Sequence, residues 1–276
     1  MSNFFTSNSP DRLMKRRLVI ISTIVVIILF IVSIGLLRLP VASEQQPVLV
    51  IRLDDIQDYA FREAQLFLLN ESIVNDIPLS LAVITGIFGD DGEVVDKVRR
   101  AVGSGSEVAV HGWKHEDFSK LTYHQQVELL RMSRNRINEL FDIEVRVFVP
   151  PMFHFNEETI MAMADESYDI ISTLTDFDQP GYILNVKSLP ATVELSLLSN
   201  GIWTMKKFAS IKTEISKSVG KYGYAILVTH PQEFIEDGKL NEMNVKQFQD
   251  MVRKLGNRYS LKTLNELGCL DMKSAQ

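Results

Sequence analysis

Two aspartates stand together at Asp54-Asp55, two histidines stand four apart at His111 and His115, and a further histidine, His230, sits between an apolar run and Pro231. Carboxylate oxygen and imidazole nitrogen are the donor types of a divalent cation. One aspartate with two histidines supplies three ligands and leaves a position open for water, the make-up of a hydrolytic metal centre. Adjacent side chains at a strand end diverge, so one aspartate of the pair can reach a metal while the other takes a proton. On a helical turn, residues four apart face the same way, which would let His111 and His115 share one ion. The pair is not the zincin motif, because Gly112 stands where that pattern needs a glutamate. His230 has the side chain that titrates nearest neutral pH and suits a general acid. Plainer readings remain open at this level: an aspartate pair capping a helix, a surface histidine pair, and a histidine satisfied under a loop. Trp113, Phe153 and Phe155 offer rings for sugar faces or for the core, and His154 is a further substrate contact. His124, inside a long helical pattern, reads as solvent-facing.

These residues are positioned by strands. Val48–Leu53, Leu79–Ile84, Glu107–Val110, Val145–Val149, Asp169–Leu174, Val193–Leu198 and Tyr224–Thr229 read as extended. Helical patterns cover Ala60–Glu71, Glu93–Val102, Thr122–Phe141, Glu157–Glu166, Lys206–Val219 and Val245–Leu255, with Thr122 and Gln125 at capping-box spacing. Leu261–Leu267 closes the chain. The alternation predicts a parallel sheet with helical crossovers, doubly wound or closed as a barrel. Asp54-Asp55, His111–His115, Pro150-Pro151 and His230 all follow strands, so they share the rim at the carboxyl ends, where such folds place their sites.

The 276 residues carry a net charge of −6, which argues against nucleic acid as the main partner. The single cysteine, Cys269, excludes an intrachain disulfide and a multi-cysteine metal cluster. Residues 18–37 form twenty uncharged, mostly apolar positions, the length of a membrane-crossing helix. Arg12, Lys15, Arg16 and Arg17 precede the span and Arg38 alone follows it, so the cation bias places the first residues in the cytoplasm and the rest outside. The expected organisation is a cytoplasmic stub at 1–17, a transmembrane signal anchor at 18–37, a tether at 38–47 and a catalytic domain at 48–270. Cleavage at the small residues near Ser43 would instead release a secreted domain. Residues 39–276 hold 24 Lys+Arg and 34 Asp+Glu, a net −10, which disfavours lying flat on anionic lipid. Asn70-Glu71-Ser72 is a glycosylation sequon, and no protein partner is identifiable.

Taken together, the motifs resemble the polysaccharide deacetylase superfamily (the NodB-homology domain, carbohydrate esterase family 4). Asp54-Asp55 is similar to its first motif, whose first aspartate is the catalytic base and whose second binds the metal. His111-Gly-Trp-Lys-His115 is similar to the second motif, which supplies two metal histidines. Phe148-Val149-Pro150-Pro151 is similar to the third, a groove wall, and Ile226–His230 to the fifth, whose histidine is the catalytic acid. The resemblance runs from about Val48 to Leu267 and implies a distorted (β/α) barrel with fewer than eight regular strands.

Three departures mark a divergent branch. Val149 occupies the place of the family's arginine, which orders the catalytic aspartate. The fourth motif has only Asp176-Phe177-Asp178 as a counterpart, and Ile56 follows Asp-Asp where the family usually has glycine. The resemblance implies metal-dependent removal of N-acetyl groups from an extracytoplasmic glycan. Asp54 and His230 would be catalytic and Asp55, His111 and His115 would hold Zn²⁺, with Co²⁺, Ni²⁺ or Mn²⁺ compatible with the same donors. Trp113, Pro150, Pro151, Met152 and His154 would contact substrate. The alternatives are a membrane-anchored glycan-binding protein on a decayed enzyme scaffold, or a metal hydrolase acting on an O-acyl ester or small amide.

Overall fold

In a computed structural model of the chain, the described residues are 46–175, 178 and 180–270, preceded by 14, 18, 19 and 21–30. The chain divides into two units, 1–45 and 46–276. In the first, residues 21–30 are helical with exposed side chains. Position 20 and positions 31–37 of the expected membrane span lie outside the described residues. Among the described residues no helix is long and apolar enough to cross a membrane.

The second unit alternates strands and helices as the periodicity requires. Strand β1 (Val48–Ile56) leads to helix α1 (Arg62–Val74), β2 (Leu79–Val83), α2 (Gly92–Gly103), β3 (Glu107–Val110) and α3 (Tyr123–Phe141). Then come β4 (Val147–Phe148), α4 (Glu157–Asp165), β5 (Ile170–Ile171), β6 (Gly181–Ile183), β7 (Val186–Ser188) and β8 (Val193–Glu194). A hairpin of β9 (Ser196–Ser199) and β10 (Ile202–Met205) precedes α5 (Phe208–Tyr222) and β11 (Tyr224–Thr229). A second small hairpin, β12 (Ile235–Glu236) with β13 (Lys239–Leu240), leads into α6 (Glu242–Gly256), β14 (Ser260–Lys262) and α7 (Leu264–Gly268).

The parallel strands run in the order β5-β4-β3-β2-β1-β11. The sheet then curls back on itself through residues 186–195. The first half of this run bonds to the β5 side, with Leu189 N donating to Ile171 O at 2.9 Å and Ala191 N to Thr173 O at 2.9 Å. Its second half bonds to β11, with Thr192 N donating to Ile226 O at 2.9 Å and Leu195 N to Val228 O at 3.0 Å. One irregular segment therefore does the work of a strand, and the barrel-like ring has fewer regular strands than eight.

Alternation along β1 sorts its side chains into two cores. Leu49, Ile51 and Leu53 pack outward against the helices, with Leu68, Val94 and Val98 among their neighbours. Val50 faces inward to a second cluster with Ala82, Ala109, Val147, Val149, Ala191, Ile226 and Val228, the filling of the curled sheet. At the amino ends of the strands, Leu264 and Leu267 of α7 join this inner cluster. The Glu107 carboxylate there accepts from Ser80 Oγ at 2.6 Å and from Leu264 N at 2.7 Å. Burial pushes its carboxyl up, against these hydrogen bonds, which lower it.

Helix α3 begins as expected, with Thr122 N donating to Gln125 Oε1 at 3.0 Å. Phe118, just before it, is fully buried with its ring centroid 4.7 Å from that of Phe148. This pair backs the turn that follows β4. Phe118→Ala is expected to lower the unfolding free energy by about 3–5 kcal/mol, measured by urea denaturation, because it opens a cavity against that turn.

Candidate functional site

The loops after β1, β3, β4 and β11 meet at the carboxyl rim. Strand β1 is irregular there: its register against β2 shifts between Leu53 and Ile56, and Asp55 takes a left-handed conformation with φ 65°. Bulges of this kind re-aim a side chain. Asp54 stays on the inner face, in line with Val50 and Arg52, while Asp55 turns toward the loop after β3.

Asp55 Oδ1 lies 3.2 Å from His111 Nε2 and 3.3 Å from His115 Nε2. The donor atoms of the three residues all lie within 4.8 Å of one another. Asp55 Oδ1 is nonetheless buried without a hydrogen-bond partner, so the three atoms converge without satisfying each other. His111 Nδ1 is 2.8 Å from the Val149 carbonyl. A carbonyl only accepts, so Nδ1 carries a proton, and in the neutral ring Nε2 presents its lone pair. Burial alone would raise the Asp55 carboxyl, but the close imidazoles of His111 and His115 and the charges of His111 and His230 hold it far below the usual range. The Asp55 carboxylate in turn pushes His115 up, outweighing partial burial. The set seeks positive charge at its centre, and a divalent cation among two imidazoles and a carboxylate meets that need.

The two histidines do not ride on a helical turn. Residues 111–117 are bends and loop, with φ 73° at Gly112 and 66° at His115. The Glu116 carboxylate draws the loop around itself, accepting from Trp113 N at 3.0 Å and Lys114 N at 2.9 Å. Gly112 is needed for more than its φ, since a Cβ there would meet Pro151 Cγ at 2.9 Å. The histidines share a point because this loop folds back, not because of helical periodicity.

Asp54 is fully buried beside Arg52, which is also fully buried. The guanidinium grips both carboxylate oxygens, with Nε donating to Oδ1 at 2.9 Å and Nη2 to Oδ2 at 2.9 Å. Its remaining nitrogen, Nη1, donates to Ser172 O at 3.0 Å, Ser172 Oγ at 2.7 Å and Thr173 O at 3.0 Å. The Phe153 ring lies over the guanidinium, its centroid 5.4 Å from Cζ. Arg52 thus fills the place that Val149 leaves without an arginine. The Val149 side chain is buried in the inner core, and its carbonyl orients His111.

His230 Nε2 is 4.0 Å from Asp54 Oδ2, and His230 Nδ1 is 2.9 Å from Glu233 Oε1. Glu233 is buried and also accepts from Ser196 Oγ at 2.9 Å, Thr229 Oγ1 at 3.1 Å and the His230 backbone N–H at 3.1 Å. Burial would pull His230 down, but the Glu233 hydrogen bond and the charges of Asp54, Glu233 and Asp55 outweigh it and push the imidazole up. The Trp203 ring of the β9–β10 hairpin lies 5.2 Å from the His230 ring at 35°. Gln232 Nε2 donates to Asp55 Oδ2 at 2.8 Å.

The remaining residues singled out in the sequence are dispersed. The Trp113 ring packs on Gly86, where a Cβ would meet it at 2.5 Å, and lines a depression of about 460 Å³ with Phe88, Asp90 and Arg136. Pro150 and Pro151 are buried, Pro151 against Gly112. Met152 is 42% exposed, and its φ of 53° is followed by 62° at Phe153, two left-handed residues in a row. His154 Nδ1 lies 3.3 Å from Asp117 Oδ2 in a separate hollow with Ser119 and Lys120. Phe155 packs against the outer core, and His124 is exposed. Of the fourth-motif counterpart, Asp176 and Phe177 lie outside the described residues, and Asp178 accepts from Ser188 Oγ.

Four residues of this centre were given no role in the sequence reading: Arg52, although it opens the run Arg52-Leu53-Asp54-Asp55, and Trp203, Gln232 and Glu233. A signal existed for two of them. Arg52 is a charged residue two positions before Asp54 on one strand, hence on the same face. Glu233 stands three after His230 with Pro231 between, the spacing of a capping box.

Comparison with known proteins bears on the fold. The family described as polysaccharide deacetylase matches residues 44–171. No curated protein matches the chain by sequence. Among solved structures, a family 4 acetyl xylan esterase from Clostridium thermocellum, in complex with a cobalt ion, superposes with a TM-score of 0.55 at 14% identity, covering 80% of this chain and 89% of its own. The esterase family 4 domain of a multidomain xylanase from the hindgut metagenome of Trinervitermes trinervoides gives 0.54 at 14%, covering 81% and 90%. A peptidoglycan deacetylase from Bacillus subtilis gives 0.51 at 15%, covering 81% and 90%. These likenesses establish a shared fold. Residues 44–171, which carry Asp54, Asp55, His111 and His115, are thus similar to the polysaccharide deacetylase family, and the fold is the one its solved relatives share.

Proposed function

We propose that the protein is a metal-dependent deacetylase that hydrolyses N-acetyl groups on a glycan. The observation that carries this reading is a complete pair of proton-handling groups beside the Asp55–His111–His115 set. Asp54 is held by Arg52 and His230 by Glu233, with Asp54 Oδ2 and His230 Nε2 4.0 Å apart.

Asp55, His111 and His115 would hold the ion, with zinc the default for these donors and cobalt, nickel or manganese compatible. When bound, the ion supplies Lewis acidity, polarising the acetyl carbonyl and lowering the pKa of water. Asp54, unable to reach the ion while Arg52 holds both its oxygens, takes the proton from the attacking water. His230, kept protonated by Glu233, gives its proton to the departing amine. No covalent intermediate is required, in keeping with the lack of an activated serine or cysteine at the rim among the described residues. The Trp203 face beside His230 suits a sugar ring carrying that amine.

The fold also serves an acetyl xylan esterase, so an O-acetyl ester is the second substrate reading. Acetate release from a panel of N- and O-acetylated saccharides separates the two. Binding of such saccharides without release from any of them would favour the glycan-binding alternative. The uncharged run 18–37 and the cations before it support a placement outside the cytoplasmic membrane, by anchor or by secretion.

Variants at four residues test the assignment. Asp55→Ala is expected to lose bound metal and acetate release together, whereas Asp54→Asn keeps the metal and loses turnover. A normal rate in Asp54→Asn sinks the proposed base. Arg52→Lys replaces a planar fork with a point charge. It is expected to lower kcat/KM about 100-fold through misplacement of Asp54, and Arg52→Met to cost about 3–5 kcal/mol in urea unfolding by leaving a buried carboxylate unpaired. Glu233→Gln removes the charge that holds His230 protonated. Activity requires the protonated imidazole and falls as pH rises through its pKa, so the alkaline limb of the kcat/KM profile is expected to move about 1–3 units lower.

A further inference from the structure

Gln232 belongs to the short helical turn 231–234 that opens after His230. Its side chain crosses from the β11 side of the rim to the β1 side, and Nε2 donates to Asp55 Oδ2 at 2.8 Å. An ionised carboxylate accepts only, so the amide must present its NH₂ here. The opposite orientation would set two oxygens against each other. The two oxygens of Asp55 therefore differ: Oδ2 is engaged by Gln232, and Oδ1 is buried, unpartnered, and within 3.3 Å of both imidazoles.

We propose that Gln232 is a positioning residue for the metal centre: it engages one Asp55 oxygen and restricts the carboxylate to single-oxygen coordination through Oδ1. A carboxylate that binds through both oxygens fills an additional coordination position. Holding it to one keeps that position open for water and for the acyl oxygen of a substrate. The same turn carries His230 and Glu233, so the Gln232 amide also fixes the distance between the proton donor and the metal side of the rim. A capping role within its own turn does not explain this side chain, because its partner lies 177 positions away in sequence. This inference rests on the metal-binding reading above.

The test is metal binding to the full chain, measured with Co²⁺ and Zn²⁺ by chelator competition, with the coordination number read by X-ray absorption. Gln232→Leu, similar in size and without a donor, is expected to weaken Kd about 10–100-fold and to raise the number of oxygen neighbours by one as Asp55 turns both oxygens to the ion. Gln232→Glu, which sets a second carboxylate against Asp55, is expected to disturb the same two readouts and serves if the leucine variant folds poorly. Gln249→Leu, which removes an exposed amide bond to Glu71 on another face, is expected to leave Kd unchanged. If wild type binds the ion and Gln232→Leu matches it in Kd and coordination number, the positioning role is overturned and the metal centre stands. If wild type takes up neither ion, both fall.

Discussion

The structure turns on a guanidinium enclosed by its own sheet. Removing an arginine and an aspartate from water costs several kcal/mol per ion, and only a complete set of well-made hydrogen bonds offsets it. Arg52 meets that condition at a single place, where both oxygens of Asp54 face it from β1 and the carbonyls of Ser172 and Thr173 face it from beyond β5. Those two strands lie far apart in the order of the sheet and come within reach of one side chain only because the sheet curls. Most of the inner residues are small or β-branched, with Ala82, Ala109 and Ala191 contributing a methyl each. The curl of the sheet and the placement of the Asp54 carboxylate are therefore one constraint.

Asp54 and His230 are both paired locally. Asp54 takes its partner from two residues earlier on the same strand, and His230 from three residues later in the same turn. In the pattern that the sequence resembles, the arginine that orders the aspartate comes instead from the segment before Pro-Pro. Here the loop after β4 is relieved of that duty, and Val149 can serve the inner core with its side chain and His111 with its carbonyl.

Much of this was legible in the sequence. Asp54, Asp55, His111, His115 and His230 announce themselves because each follows a strand-length apolar run, and a parallel sheet brings such positions to one rim. Arg52 was concealed by its company: in Val48–Leu53 it reads as an interruption of an apolar strand, and only the inner and outer faces of a curled sheet give it a role. Trp203 was hidden because Val193–Leu198 reads as one strand, whereas the chain breaks at Leu195 and turns at Asn200-Gly201, a hairpin signal. The helical reading of His111–His115 failed because spacing alone cannot see Glu116 gathering the loop's backbone N–H groups. Residues 186–192, most of the run that links β5 to β11, have no periodicity of either kind to betray them.

The stopper at the amino ends of the strands has one more consequence. Leu264 and Leu267 of α7 close the shaft from below, Glu107 fastens that helix in place, and the guanidinium occupies the shaft under the rim. Traffic has a single doorway. Whatever binds at the rim arrives and departs on one side, so a polymer bound there would lie across the mouth, unable to thread through the closed shaft.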